Sequence, residues 1–244
     1  MLKQKIFLLV FSLLCAVHIF QVEKVEAKML LRKELEPTGY VTWEVPNNEK
    51  IIAITFDDGP DSEFTPKILD KLKQHNVKAT FFLLGENAEK FPNVVKRIAN
   101  EGHVIGNHTY SHPNLAKVNE DEYRNQIIKT EEILNRLAGY APKFIRPPYG
   151  EILENQLKWA TEQNFMIVQW SVDTVDWKGV SADTITNNVL GNSFPGSVIL
   201  QHSTPGGHLQ GSVDALDKII PQLKTKGARF VTLPSMFQTS KERN

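Results

Sequence analysis

Two adjacent carboxylates, Asp57 and Asp58, follow the apolar run 51–56 and stand directly before Gly59-Pro60. The run is β-branched and reads as a buried strand, which the Gly-Pro pair ends. Side chains alternate faces along a strand, so neighbouring carboxylates share a pocket only where the strand breaks, and Gly59-Pro60 supplies a break. Two like charges side by side are costly unless a cation lies between or beside them. Downstream, His108 and His112 in His-Thr-Tyr-Ser-His-Pro are separated by four positions. That spacing brings both imidazoles to one side of a helical turn or tight loop. Joined by a carboxylate from the 57–58 pair, they form a three-ligand metal site with positions left open to water, the arrangement of a catalytic centre. Zinc is the first expectation for one divalent ion there; iron, cobalt, nickel and manganese also suit the donors.

Such groups need a scaffold that collects them. Strand-like segments are read at 51–56, 77–84, 103–107, 143–146, 165–172, 197–202 and 230–232. Helical patterns lie between them at 65–75, 86–100, 120–137, 153–163, 184–190 and 213–226. Repeated strand-helix alternation in 244 residues predicts an α/β fold with a parallel sheet, a distorted (β/α) barrel of about seven strands. Reactive groups in such folds gather at the C-terminal ends of strands. Asp57 with Asp58, His108 with His112, Arg146, Asp173 and His202 all end or directly follow strand-like segments.

Lysine plus arginine equals aspartate plus glutamate at 28 each, so no bulk charge points to nucleic acid or an anionic membrane. Lys3 and Lys5 precede an apolar run at 6–20, and Val25-Glu26-Ala27 follows. This is the layout of a secretory signal peptide over 1–27 cleaved after Ala27, too short for a comfortable transmembrane helix. The expected location is therefore secreted or cell-wall associated, with membrane anchoring if the segment stays uncleaved. The single cysteine, Cys15, lies inside the apolar run, so a cleaved chain has no disulfide and no thiol chemistry. An extension is expected over 28–48, one domain over 49–237 and a polar tail over 238–244, with a monomer as the expected assembly. His75 and His103 read as surface or packing residues, and His208 as a loop residue. Gly179-Val180-Ser181-Ala182-Asp183 lacks the final glycine of a serine-esterase elbow.

Five motifs stand in order: Thr-Phe-Asp-Asp-Gly-Pro, His-Thr-Tyr-Ser-His-Pro, Arg-Pro-Pro-Tyr-Gly, Asp173-Thr-Val-Asp176-Trp177 and Leu200-Gln201-His202. Across residues 49–235 the chain resembles the polysaccharide deacetylase family, carbohydrate esterase family 4, with its NodB-type homology domain. The resemblance implies a metal held by Asp58, His108 and His112, with Asp57 as general base and His202 as general acid. It implies that Arg146 orients Asp57, that the backbone N–H of Tyr149 stabilises the oxyanion, and that Asp176 or Asp173 pairs with His202. Asp176 is favoured for its place beside Trp177, although spacing alone does not separate the two. Trp177 would wall the groove and Leu200 would line a small pocket for the acetyl methyl. The expected activity is N-deacetylation of a glycan, peptidoglycan first and chitin-like oligomers next. The alternatives are an O-acetyl esterase acting on acetylated glycans and a catalytically silent glycan-binding barrel.

Overall fold

The computed structural model describes residues 32–203 and 209–243. The signal-peptide segment with Cys15, and His208, lie outside the described residues. The strands are β1 (Val41–Thr42), β2 (Ile51–Asp57), β3 (Thr80–Leu83), β4 (Val104–Asn107), β5 (Phe144–Ile145), β6 (Met166–Val168), β7 (Val172–Asp173), β8 (Val198–His202) and β9 (Arg229–Phe230). The helices are α1 (Arg32–Leu35), α2 (Phe64–Gln74), α3 (Gly85–Lys90), α4 (Pro92–Asn100), α5 (Glu120–Ala138), α6 (Glu154–Glu162), α7 (Ala182–Asn192), α8 (Gln210–Thr225) and α9 (Leu233–Phe237). Among the described residues no helix is long and apolar enough to cross a membrane.

The paired strands are all parallel, in the order β1-β6-β5-β4-β3-β2-β8-β7, with β9 beside the start of β2. Two strands exceed the expectation of about seven: β1, and one from the division of the 165–172 run into β6 and β7. These two pieces lie near opposite ends of the strand order. Only residues 169–171 join them, a path of at most roughly 14 Å between Val168 and Val172. The sheet must therefore curl until its ends nearly meet, which makes the distorted barrel.

Residues 41–45, which the sequence places in an extension, bridge that seam. Val41 and Thr42 pair with Ile167 and Val168, and the Gln169 N–H donates to the Thr42 carbonyl at 2.8 Å. On the other side Glu44 bridges antiparallel to Ser197, and the Val45 N–H donates to the Gly196 carbonyl at 2.9 Å. Gly196 has φ 101°, and a Cβ there would lie 2.1 Å from the Val45 carbonyl oxygen. Only glycine lets the two backbones come this close.

Alternation along the strands sorts the side chains. Ile52, Ile54 and Phe56 of β2, with Phe81 and Leu83 of β3, pack in the core shared with Ile68, Leu216 and Ile220 of the helices. Ala53, Phe82, Val168 and Val198 take the other face with Leu233 and Met236 of α9, which fills the barrel floor. The same period carries Thr55 and Asp57 of β2, and Leu200 and His202 of β8, onto the inner face above that floor. Parallel register sets Asp57 opposite His202. The helix expected at 86–100 is two helices. Phe91 leaves helical geometry at φ −125° and ψ 53°, and Pro92 opens α4, where its missing N–H costs nothing.

Gly196→Ala is expected to lower stability by roughly 2–3 kcal/mol, through the strained φ and the clash with Val45. Urea unfolding measures it; an unchanged midpoint would contradict the account of the seam.

Candidate active site

Asp57 is the last residue of β2, and the chain leaves strand geometry at Asp58 itself, with φ 70°. The break therefore falls one residue before Gly59, in a conformation that aspartate tolerates better than most residues. Asn87 fixes the turn by donating from Nδ2 to the Asp58 carbonyl at 2.8 Å. His108 follows β4, and its loop is pinned by Gln126 of α5. The Gln126 Oε1 accepts from the Tyr110 and Ser111 N–H groups at 2.8 and 2.9 Å. Thr109 and His112 both have positive φ, 74° and 60°, which turns the second imidazole back toward the first.

One ligand atom each from Asp58, His108 and His112 lies within 4.8 Å of the others. Asp58 Oδ1 is 3.3 Å from His108 Nε2 and 3.4 Å from His112 Nε2. That oxygen is buried, yet it accepts no well-formed hydrogen bond among the described residues. His108 Nδ1 donates to the Arg146 carbonyl at 2.6 Å, so its Nε2 lone pair faces the cluster. A buried, unsatisfied carboxylate oxygen facing two imidazole nitrogens fits a divalent cation. Burial pushes the Asp58 carboxyl up, but the contact and charge of His108, with His202 and His112, overcome it and hold the pKa down at about 2. For His108, burial favours the neutral ring, yet the charges of Asp57 and Asp58 raise its pKa. For His112, burial and the neighbouring His108 lower it.

Asp57 is turned to a different partner. Arg146, fully buried, donates from Nη1 to Asp57 Oδ1 at 2.7 Å and to Thr55 Oγ1 at 2.8 Å. Its Nε reaches the Val168 carbonyl at 3.1 Å and its Nη2 the Gln169 carbonyl at 3.0 Å. The guanidinium also lies over the Phe82 ring, 4.2 Å from its centroid. Burial pulls the guanidinium pKa down against the opposing charge of Asp57. Asp57 Oδ2 stays 3.7 Å from His108 Nε2, on the cluster side.

His202 stands across the cleft. Its Nδ1 meets Asp176 Oδ1 at 2.7 Å, and its backbone N–H donates to Asp176 Oδ2 at 2.9 Å. Ser212 Oγ donates to the same Oδ2 at 2.7 Å. Asp176, not Asp173, is thus the carboxylate on His202. Asp173 accepts instead from the Val175 N–H at 2.7 Å, and its side chain lines the cleft. Val175 between them has φ 60°, an outlier for a β-branched residue, and this turn separates the two carboxylates. Burial alone would push His202 down, but the hydrogen bond and charge of Asp176, with Asp57 and Asp58, raise its pKa to about 9.

A cleft of about 390 Å³ joins these groups, within the range of small-molecule sites. Asp57, Asp58, His108, His112, His202, Tyr149, Trp177 and Leu200 all line it. Arg146 and Asp176 sit behind, each buried against the group it holds. Tyr149 is 64% and Trp177 55% exposed, which excludes core packing for either. Tyr149 has φ 61°, and its ring meets His112 edge-on. Leu200 is buried on the inner face of β8.

Sequence reasoning missed Trp170, which lines the cleft from the link between β6 and β7, because 165–172 reads as one continuous strand. It also missed Thr55, Gln126 and Ser212, whose polar groups sit within apolar strand and helix patterns. His75, His103 and Ser181, set aside on sequence, fall outside the cleft. His75 pairs with Asp217 at 2.8 Å, while His103 is buried and accepts the Ala79 N–H. Ser181, in the elbow-like segment, caps α7 by accepting from the Thr184 N–H.

The family model for polysaccharide deacetylase matches residues 44–168. A peptidoglycan-N-acetylglucosamine deacetylase of Bacillus cereus is 96% identical over 198 residues, 81% of this chain and 72% of that protein. The peptidoglycan-N-acetylmuramic acid deacetylase PdaC of Bacillus subtilis is 37% identical over 82% of this chain and 41% of its own length. The crystal structure of the Bc1960 peptidoglycan N-acetylglucosamine deacetylase in complex with an N-hydroxybenzamide superposes with a TM-score of 0.85 at 89% identity. That match covers 87% of this chain and 100% of that one.

In chelator-treated protein His202 is expected to titrate near pH 9. Its folded pKa lies above the unfolded value of roughly 6.5. The stability it contributes is therefore full below that value and is lost as pH rises through about 9. Histidine NMR titration should show this midpoint and its fall in Asp176→Asn; the same midpoint in both proteins would contradict the pairing.

Proposed function

The chain belongs to the polysaccharide deacetylase family, and from that premise we propose that it is an exported N-deacetylase of cell-wall peptidoglycan. Its action is metal-dependent hydrolysis of the N-acetyl group of an amino sugar, releasing acetate and a free amine. The observation that carries this reading is the division of the paired carboxylates. Asp57 is bound to Arg146, Asp58 faces two imidazoles, and His202 stands across the same cleft.

Asp58, His108 and His112 would hold the cation, which when bound polarises a substrate carbonyl and makes water more acidic. Zinc is the first choice for two imidazoles and a carboxylate with positions left open. Asp57, oriented by Arg146, takes the proton of the attacking water as the oxygen adds to the acetamide carbon. The backbone N–H of Tyr149, in its left-handed turn, serves the developing oxyanion, a donor whose loss typically costs about 3–4 kcal/mol. His202 presents Nε2 to the cleft, since Nδ1 is held by Asp176, and gives its proton to the departing nitrogen as the C–N bond breaks. Leu200 borders the acetyl methyl, and Trp177 and Tyr149 offer aromatic faces to sugar rings.

An amine leaves only when protonated, and His202, held by Asp176 at the edge of the cleft, is placed to supply that proton. This feature favours N-acetyl over O-acetyl substrates, because an alkoxide departs more readily than an amide anion. Two of the relatives act, by name, on N-acetylglucosamine of peptidoglycan and one on its N-acetylmuramic acid. N-acetylglucosamine units of peptidoglycan are thus the leading substrate here, and chitin-like oligomers of the same sugar come next. A silent barrel would be expected to lack one of the ligands, the base or the acid, and this chain carries them all. The lysine-led apolar run at 6–20 supports export to the cell wall, with membrane attachment where that segment is retained. The ligands, base and acid of the site are all carried by a single chain, which is consistent with the monomer proposed here.

Acetate release from peptidoglycan, chitooligosaccharides and acetylated xylan, each with and without chelator, tests the proposal. Chelator-sensitive release is expected, with peptidoglycan first and xylan last. Faster release from xylan would move the activity to ester cleavage. No release from any polymer would favour a silent barrel.

A further inference from the structure

We infer that Ser212 is a positioning residue for the acid half of the reaction, its hydroxyl fixing the Asp176 carboxylate so that His202 aims Nε2 into the cleft. This rests on the reading of His202 as the acid. Asp176 is 1% exposed, and its oxygens are met by three donors from two residues. Oδ1 faces His202 Nδ1 at 2.7 Å, while Oδ2 accepts from the His202 N–H at 2.9 Å and from Ser212 Oγ at 2.7 Å. Two of these come from His202 itself and move with it. Ser212, in the first turn of α8, is the partner here that ties Asp176 to a separate element.

The helix is brought close for this contact. A Cβ on Gly211 would lie 2.5 Å from the Val180 carbonyl oxygen, so the start of α8 approaches the 180–182 segment only because residue 211 has no side chain. Ser212, the next residue, is 1% exposed and reaches no solvent of consequence. A hydroxyl facing a carboxylate oxygen must donate, and its single proton is thereby committed to Asp176. From the opposite side, Thr174 Oγ1 donates to the Leu200 carbonyl at 2.8 Å and Asn188 Nδ2 to the Thr174 carbonyl at 3.2 Å. The segment carrying Asp176 is thus tied to β8 and α7, and its carboxylate is clamped by α8. Without the Ser212 hydroxyl, Oδ2 keeps only the His202 N–H among the described residues, the carboxylate can rock, and the imidazole loses its fixed direction.

Acetate release by Ser212→Ala, Ser212→Thr, Asp176→Asn and the Ser212→Ala/Asp176→Asn pair tests the assignment, each variant first checked by thermal melting. Ser212→Ala is expected to lower kcat about ten-fold with KM unchanged, the scale of one hydrogen bond to a charged group. Ser212→Thr, which keeps the hydroxyl, should recover most of the loss. In the Asp176→Asn background the Ser212→Ala loss should shrink to about two-fold or less, because the group it acts through is gone. Should the threonine methyl prevent folding, the cycle alone decides. Wild-type kcat in Ser212→Ala, or an equal loss in both backgrounds, would overturn the assignment while leaving the acid intact. Wild-type turnover in Asp176→Asn would instead defeat the acid reading on which it rests.

Discussion

A charge buried without a partner is among the most expensive things a fold can hold, and Arg146 is fully buried. Its guanidinium is affordable only because each of its nitrogens has an oxygen to meet, on β2, at the end of β6 and in the link beyond it. Meeting those partners requires the sheet to curl, since β2 and β6 are separated by three strands in the hydrogen-bonded order. The arginine therefore spans the barrel interior, and its own carbonyl orients His108 from the other end. One residue links Asp57, the closure of the barrel and His108 of the candidate metal cluster. A lysine could not replace it, having neither the planar fork nor the donors set in fixed directions.

The same constraint explains how two neighbouring aspartates come to meet different partners. Along a continued strand Asp57 and Asp58 would face opposite sides of the sheet. The left-handed turn at Asp58 returns its carboxylate to the cleft, while Arg146 holds Asp57 Oδ1 at 2.7 Å. Backbone strain recurs around the cleft, at Asp58, Thr109, His112, Tyr149 and Val175, all non-glycine residues at positive φ. Each aims a group that a regular element could not present, as strain at functional sites commonly does.

The residues gathered in the cleft were more legible in the sequence than the closure that brings them together. Asp57, Asp58, His108, His112, Arg146 and His202 stand at strand ends, where a breaker or a loop follows an apolar run, so local pattern marks them. The division of 165–172 is hard to see locally, because the polar Gln169 and Ser171 fit the alternation of one continuous strand between the buried Val168 and Val172, and the two pieces part only in the neighbours they pair with. The seam formed by residues 41–45 is hidden for a related reason: two-residue strands carry no periodicity. Asp173 and Asp176 could not be separated by spacing, since the positive φ of Val175 decides which one meets His202. Ser212 looks like any small residue in an amphipathic helix, and only the distance to Asp176 gives it a role.

The division of the carboxylate pair is the centre of the account, and metal binding tests it most directly. Isothermal titration of chelator-treated protein with zinc would compare wild type, Asp57→Asn and Asp58→Asn. The account predicts one tight site in wild type and in Asp57→Asn, the latter without acetate release, and a large loss of affinity in Asp58→Asn. Equal loss in both variants would contradict it, because the carboxylates would then act as a shared ligand pair and Asp57 would not be free to serve as the base.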